Sequence, residues 1–136
     1  MTYKERKEMF SRVYNKYANS INIHSGDCGK DNRAFSYITH REIVLPESSF
    51  KNPSEWAILV LLHEIGHVLT NNTRMKMYEM EYYATQWSAI EAKKWGLKIR
   101  PEWKKAFQDY IWEKRELSIN HNGINVPSKE SLVIKW

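Results

Sequence analysis

Apolar residues along this chain recur mainly at helical spacing, and short β-prone runs break the pattern between about residues 21 and 45. From 3 to 18, Phe10, Val13, Tyr14 and Tyr17 take one side, while Lys4, Glu5, Lys7, Glu8 and Lys16 take the other, which predicts an amphipathic first helix. Residues 21–23 predict a short strand, and 25–32 are rich in turn formers. The runs 34–38 and 42–45 are separated only by Thr39, His40 and Arg41, so they predict a hairpin or a tight pair of strands ended by Pro46.

The longest apolar run spans 56–69. Asn52 can cap a helix there, Pro53 suits its first position, and Glu55 stands where a capping side chain reaches back. A helix apolar nearly all round belongs in a core. Residues 71–73 stop it, a further helix is predicted over 75–94 with Gly96 as its left-handed cap, and Pro101 opens another to about 117. Trp103, Phe107, Tyr110 and Ile111 form the apolar side of that last helix. Residues 118–136 carry one apolar burst, 132–134, and predict either a packed strand or a partly mobile tail. The expectation is an α+β fold in a single domain over 1–136: an N-terminal helix, a two- to three-stranded sheet, and three further helices.

Composition narrows the function classes. No basic segment followed by an apolar one opens the chain, and the run at 56–69 is too short to span a bilayer, so a soluble protein is expected. Cys28 is the single cysteine, which excludes an internal disulfide and a cysteine-rich zinc site and fits a reducing, cytoplasmic setting. Its Gly and Asp neighbours mark it as a loop thiol. The net charge of +5 is spread along helix faces, where solvation explains it, so nucleic acid is not the expected partner.

The apolar run contains His63-Glu64-Ile65-Gly66-His67, an HExxH pattern. On a helix, histidines four apart share a face and reach one metal ion, and the glutamate beside them can take a proton from a metal-bound water. Two imidazoles and a carboxylate in a buried helix are costly without partners, which a shared cation supplies. The alternative is a pair of satisfied core histidines. A catalytic zinc usually has three protein ligands. Thr70 and Thr73 stand where a metzincin carries Gly and His, so that continuation is absent. Folding the next helix back about 71–73 sets Glu81 opposite His63 and Glu79 beside 64–67; being two apart, only one can face the metal. Ala84 shares a face with Glu81 and would let the helices approach closely, which favours Glu81; Glu79 remains the alternative.

These residues resemble the ImmA/IrrE-type gluzincin metallopeptidases of phages, mobile elements and bacteria. The likeness covers about 32–95: the strand Arg41-Glu-Ile-Val-Leu-Pro46, then Leu61-Leu-His-Glu-Ile-Gly-His-Val-Leu69, then Glu81-Tyr-Tyr-Ala84 with an aromatic and a small residue following. The resemblance implies a minimal zincin-like domain with Zn2+ held by His63, His67 and Glu81 and with Glu64 as general base. It also implies an intracellular regulatory protein as substrate. Two departures stand out. The stretch from His67 to Glu81 is short for the family, and Thr85 occupies the place where thermolysin-like enzymes have an aspartate that orients a zinc-bound histidine. A backbone carbonyl is expected to give that support instead. The chain shows no accompanying helix-turn-helix, which argues against a DNA-binding regulator. Tyr37, His40, Tyr78, Tyr82 and Tyr83 are donors by type for an oxyanion, strand 34–38 is an edge able to take an extended substrate, and His121 is a loop histidine or a ligand from the tail. The alternative function is a non-catalytic zincin-like factor that binds a host or regulatory protein.

Overall fold

The computed structural model describes the backbone of residues 1–122 and 125–136, and side chains for 1–119 and 125–136, so His121 as a ligand from the tail lies outside the described residues, while its backbone belongs to a helix and not to the expected loop. Among the described residues the chain forms five helices and a three-stranded sheet, an α+β fold. Helix α1, Tyr3–Tyr17, opens with a reciprocal cap. The Glu5 N–H donates to Thr2 Oγ1 at 3.1 Å and the Thr2 N–H donates to the Glu5 carboxylate at 3.0 Å. Its Phe10 and Val13 are buried, as their spacing predicts.

The strands are β1, Asn22–Ser25, β2, Phe35–Tyr37, and β3, Glu42–Leu45, with β3 in the middle. The predicted hairpin is β2 and β3, antiparallel with Phe35 opposite Val44. A single 3₁₀ turn, Ile38–His40, joins them, and Arg41 takes the left-handed conformation at φ 49° to re-enter the sheet. The strand pattern did not indicate that β1 runs parallel to β3, Ile23 opposite Ile43. That pairing depends on the course of the whole 26–41 connection. Strand β2 is left with one free edge.

Two boundaries differ from expectation. A short helix α2, Glu47–Lys51, precedes the central helix, and Asn52 closes it by donating its N–H to the Ser48 carbonyl at 2.8 Å. Asn52 is therefore not the cap of the next helix. Helix α3, Glu55–Thr70, starts at Ser54, whose Oγ accepts the Ala57 N–H at 3.0 Å, and Pro53 lies outside it. Glu55, freed from the capping role, faces the chain's amino group at 3.4 Å and Arg100 at 3.8 Å.

One side of α3 builds the core. Ile58, Leu59, Leu61, Leu62 and Ile65 pack with Phe10 and Val13 of α1 and with Ile23, Ile43 and Leu45 of the sheet. Each such buried side chain stabilises the fold by about 1.5–3 kcal/mol. The other side carries Trp56, Val60, His63, Glu64 and His67 and faces a cavity. Helix α4, Met77–Trp95, returns against α3 and ends at Gly96, left-handed at φ 77°, as the sequence predicts. Helix α5, Pro101–Asn122, runs past the expected end near 117.

The segment after α5 forms a 3₁₀ turn, Lys129–Leu132, and not a strand. Leu132 and Ile134 are buried with Tyr78, Ala89 and Ile111 in a second apolar cluster. Two glutamines hold its backbone. Gln108 donates to the Leu132 carbonyl and accepts the Ile134 N–H, both at 2.8 Å. Gln86 donates to the Lys135 carbonyl at 2.8 Å and accepts its N–H at 2.9 Å. No helix among the described residues is long and apolar enough to cross a membrane.

Candidate metal centre

Helices α3 and α4 come into close backbone contact at Gly66. A β-carbon there would lie 2.7 Å from the Ala84 carbonyl oxygen and 3.1 Å from the Ala84 Cα, so only glycine fits. Ala84 is fully buried at the same crossing. With no side chain between the two backbones, the carboxylate one turn before Ala84 is brought onto the two histidines.

That carboxylate is Glu81. Its Oε2 lies 3.1 Å from His63 Nε2 and its Oε1 3.3 Å from His67 Nε2. One ligating atom from each of His63, His67 and Glu81 falls within 4.8 Å of the other two, a group that could hold a metal ion. The rings of His63 and His67 stand perpendicular, centroids 4.6 Å apart, so their Nε2 atoms converge without the rings stacking. Glu79 turns away: its Oε1 accepts the Lys76 N–H at 3.0 Å at the start of α4. Glu91 lies about three turns further along the helix, bridged to Lys94 at 3.4 Å.

The far nitrogens of both rings also have partners. His63 Nδ1 lies 3.4 Å from the Thr85 hydroxyl, and His67 Nδ1 is hydrogen-bonded to Asn71 Oδ1. The support expected from a backbone carbonyl is thus supplied by two side chains, and Thr85 itself stands at the aspartate's place. Sequence reading took Asn71 only as the end of the helix. Its other contacts, with the Met80 carbonyl and Thr70, depend on how α4 packs.

Burial and charge set the protonation of the group. Burial opposes charge on Glu81, yet the bonds from His63 and His67 override it and hold its carboxyl down to about 2. Burial likewise opposes charge on His67, and the Glu81 carboxylate, with smaller help from Glu64 and Asn71, raises it to about 9. Glu64 is 6% exposed, and burial pushes its carboxyl above the usual range against the pull of His63 and His67. Its Oε2 is buried with no hydrogen-bond partner among the described residues. A buried carboxylate oxygen without a partner is costly unless something else meets it there.

Glu64 and the three clustered side chains open onto a cavity of about 580 Å3. Its apolar wall includes Trp56, Val60, Phe107 and Tyr110; the Phe107 ring sits 4.9 Å from that of His63 and 5.5 Å from that of Trp56. On the sheet side the wall includes Arg33 and Ala34, which lead into β2. None of the oxyanion donors named from sequence lines it. Tyr37 is half exposed beside His40, Tyr78 is buried in the second apolar cluster, and the rings of Tyr82 and Tyr83 pack against each other on α4. The hydroxyl-bearing ring on the cavity wall is Tyr110 of α5, whose helical period marked it only as apolar surface.

Compared with models of known families, with curated proteins and with solved structures, the chain matches none. What its centre can do therefore rests on its own geometry and donor chemistry. Two imidazoles and one carboxylate on facing helices, with a second carboxylate beside them and a cavity in front, form a donor set open on one side.

Proposed function

We propose that this protein is a zinc-dependent metallopeptidase of the gluzincin kind, acting on a protein or peptide in the cytoplasm. The observation that carries the proposal is the convergence of His63, His67 and Glu81 beside the buried Glu64 on an open cavity. The donor types support zinc: two imidazole nitrogens and one carboxylate, with one side left open, are a set that catalytic zinc sites use. A zinc ion bound by these groups supplies a Lewis acid that polarises a carbonyl and makes water acidic near neutral pH.

The chain's own groups account for the rest. Glu64 takes a proton from the attacking water and returns it to the leaving amine, and its burial, by raising its affinity for that proton, suits the transfer. Tyr110 shares the cavity wall with the hydroxyls of Ser48, Ser49 and Ser54, and its longer reach makes it our choice of donor to the developing oxyanion. The free edge of β2, entered from Arg33 and Ala34 on the wall, offers backbone groups to an extended substrate, and Trp56, Val60 and Phe107 exclude water from one side.

Glu64→Gln keeps the shape and removes the base. Zinc uptake by this variant should match the parent while cleavage of a peptide library falls by about 10²–10⁴-fold. Cleavage at the parent's rate by Glu64→Gln sinks the assignment of the base. A parent that takes up zinc and captures a partner without cutting it supports the non-catalytic binding protein instead.

A further inference from the structure

We propose that Asn71 is a positioning residue for the centre: it fixes His67 as the tautomer with its proton on Nδ1 and Nε2 turned to the metal, and ties that ring to the backbone beside Glu81. The proposal rests on the metal-site reading above and concerns a residue outside the HExxH pattern.

An asparagine side chain has an accepting end and a donating end, and its partners decide which way it points. Asn71 Nδ2 lies 3.1 Å from the Met80 carbonyl oxygen, which can only accept. It also lies 3.1 Å from Thr70 Oγ1. The Thr70 hydroxyl spends its hydrogen on the Gly66 carbonyl at 2.7 Å, so toward Asn71 it accepts. Both hydrogens of the amide are thereby used, and Oδ1 is the end facing His67 Nδ1. Reversing the amide would set two oxygens against each other at Met80. With an acceptor fixed in front of it, Nδ1 must carry the proton and donate.

The consequence falls on the opposite edge of the ring. Which imidazole nitrogen is free for a metal is set by the bond the other makes. Here Nδ1 keeps its proton, and Nε2, 3.3 Å from Glu81 Oε1, is the atom a metal can replace a proton on. Met80 immediately precedes Glu81. The same amide therefore couples the second histidine to the backbone of the third ligand, across a turn whose other residues make no such link between the helices. His63 has the looser arrangement, a rotatable hydroxyl at 3.4 Å that can donate or accept.

The test compares the parent with Asn71→Ala and Asn71→Asp by chelator-competition zinc affinity, and follows the His67 ring by long-range 1H–15N NMR in the zinc-loaded protein. Asn71→Ala should bind zinc about 10–100-fold more weakly. Asn71→Asp keeps an acceptor for Nδ1 but sets an oxygen against the Met80 carbonyl, so it should recover part of that loss; a merely structural amide would leave Asn71→Asp no tighter than Asn71→Ala. In the parent the Nδ1 proton should be observed with the metal on Nε2, and in Asn71→Ala that proton should be lost to exchange. Unchanged affinity in Asn71→Ala, no recovery in Asn71→Asp, or a parent His67 ring without a proton on Nδ1 each overturns the proposal, the last without relying on any variant's folding. A parent that takes up no zinc overturns the metal-site reading as well, whereas a zinc-binding parent with an indifferent Asn71→Ala overturns this inference alone.

Discussion

Helix α3 packs against α4, and the C-terminal segment against α4 and α5, by opposite means. At Gly66 and Ala84 two helix backbones touch with no side chain between them, whereas residues 132–135 are held at arm's length by the side chains of Gln86 and Gln108. Backbone contact leaves no freedom to adjust, and polar side chains of about four bonds' reach leave a good deal. The region that gathers the three side chains able to hold a metal ion uses the first means. The region that only covers apolar surface uses the second, with Leu132 and Ile134 supplying the buried area.

Damage to the tail and damage to the helix crossing should therefore separate. The largest loss of stability is expected from Leu132→Ala, about 2–5 kcal/mol by the cost of truncating a buried leucine, measured by urea denaturation. Zinc affinity of the folded fraction should stay within about threefold of the parent, since Leu132 touches no ligand. Gly66→Ala should cost about 1–3 kcal/mol from overpacking against the Ala84 carbonyl and, unlike the tail variant, should also weaken zinc binding. An unchanged zinc affinity in Gly66→Ala would show that the crossing does not set the ligand geometry. Gln108→Leu removes two hydrogen bonds to the tail, each worth about 0.5–1.5 kcal/mol, and leaves the backbone of 132–134 faster in hydrogen exchange. Protection equal to the parent's would mean that apolar burial alone docks the segment.

The last test concerns pH in chelator-treated protein. Glu81, held down to about 2 from an ordinary 4.5, contributes stability that is present above pH 4.5 and lost as pH falls below it. His67, raised to about 9 from an ordinary 6.5, contributes stability that is present below pH 6.5 and lost as pH rises toward 9. Glu64, with its carboxyl raised, removes stability as it ionises above 4.5. The thermal midpoint of the stripped protein should therefore decline from pH 6.5 to 9, and Glu81→Gln should flatten that decline. A parent curve flat over 6.5–9 would mean that the carboxylate and imidazoles are not coupled as the distances indicate. Gln108→Leu alters none of these groups, so it should leave the shape of the curve unchanged.

The parts of the molecule that could be read from sequence share a physical feature: they depend on neighbours within a few residues. The amphipathic α1, the β2–β3 hairpin, and Gly96 closing α4 are of this kind. So is the spacing of His63, Glu64 and His67, which the helical period alone puts on one face. Glu81 was legible only as one of a pair, because a helix hairpin fixes its partner's register to about a turn, and the Gly66–Ala84 contact decides it. The start of α3 was misplaced because Asn52 and Ser54 are both good caps, and the choice turned on α2, a helix of a single turn that no periodicity reveals.

By itself, then, the sequence determined an α+β chain with two histidines and a glutamate gathered on one buried helix, since a helix repeats every 3.6 residues whatever surrounds it. Only the tertiary structure decided that β1 lies parallel to β3, that Glu81 rather than Glu79 completes the donor set, and that Asn71 and Thr85 back the two imidazoles. It also decided that Tyr110 of α5 lines the cavity. Each of these joins residues brought together by the packing of whole elements, and no local spacing encodes the distance between two surfaces until both have been packed.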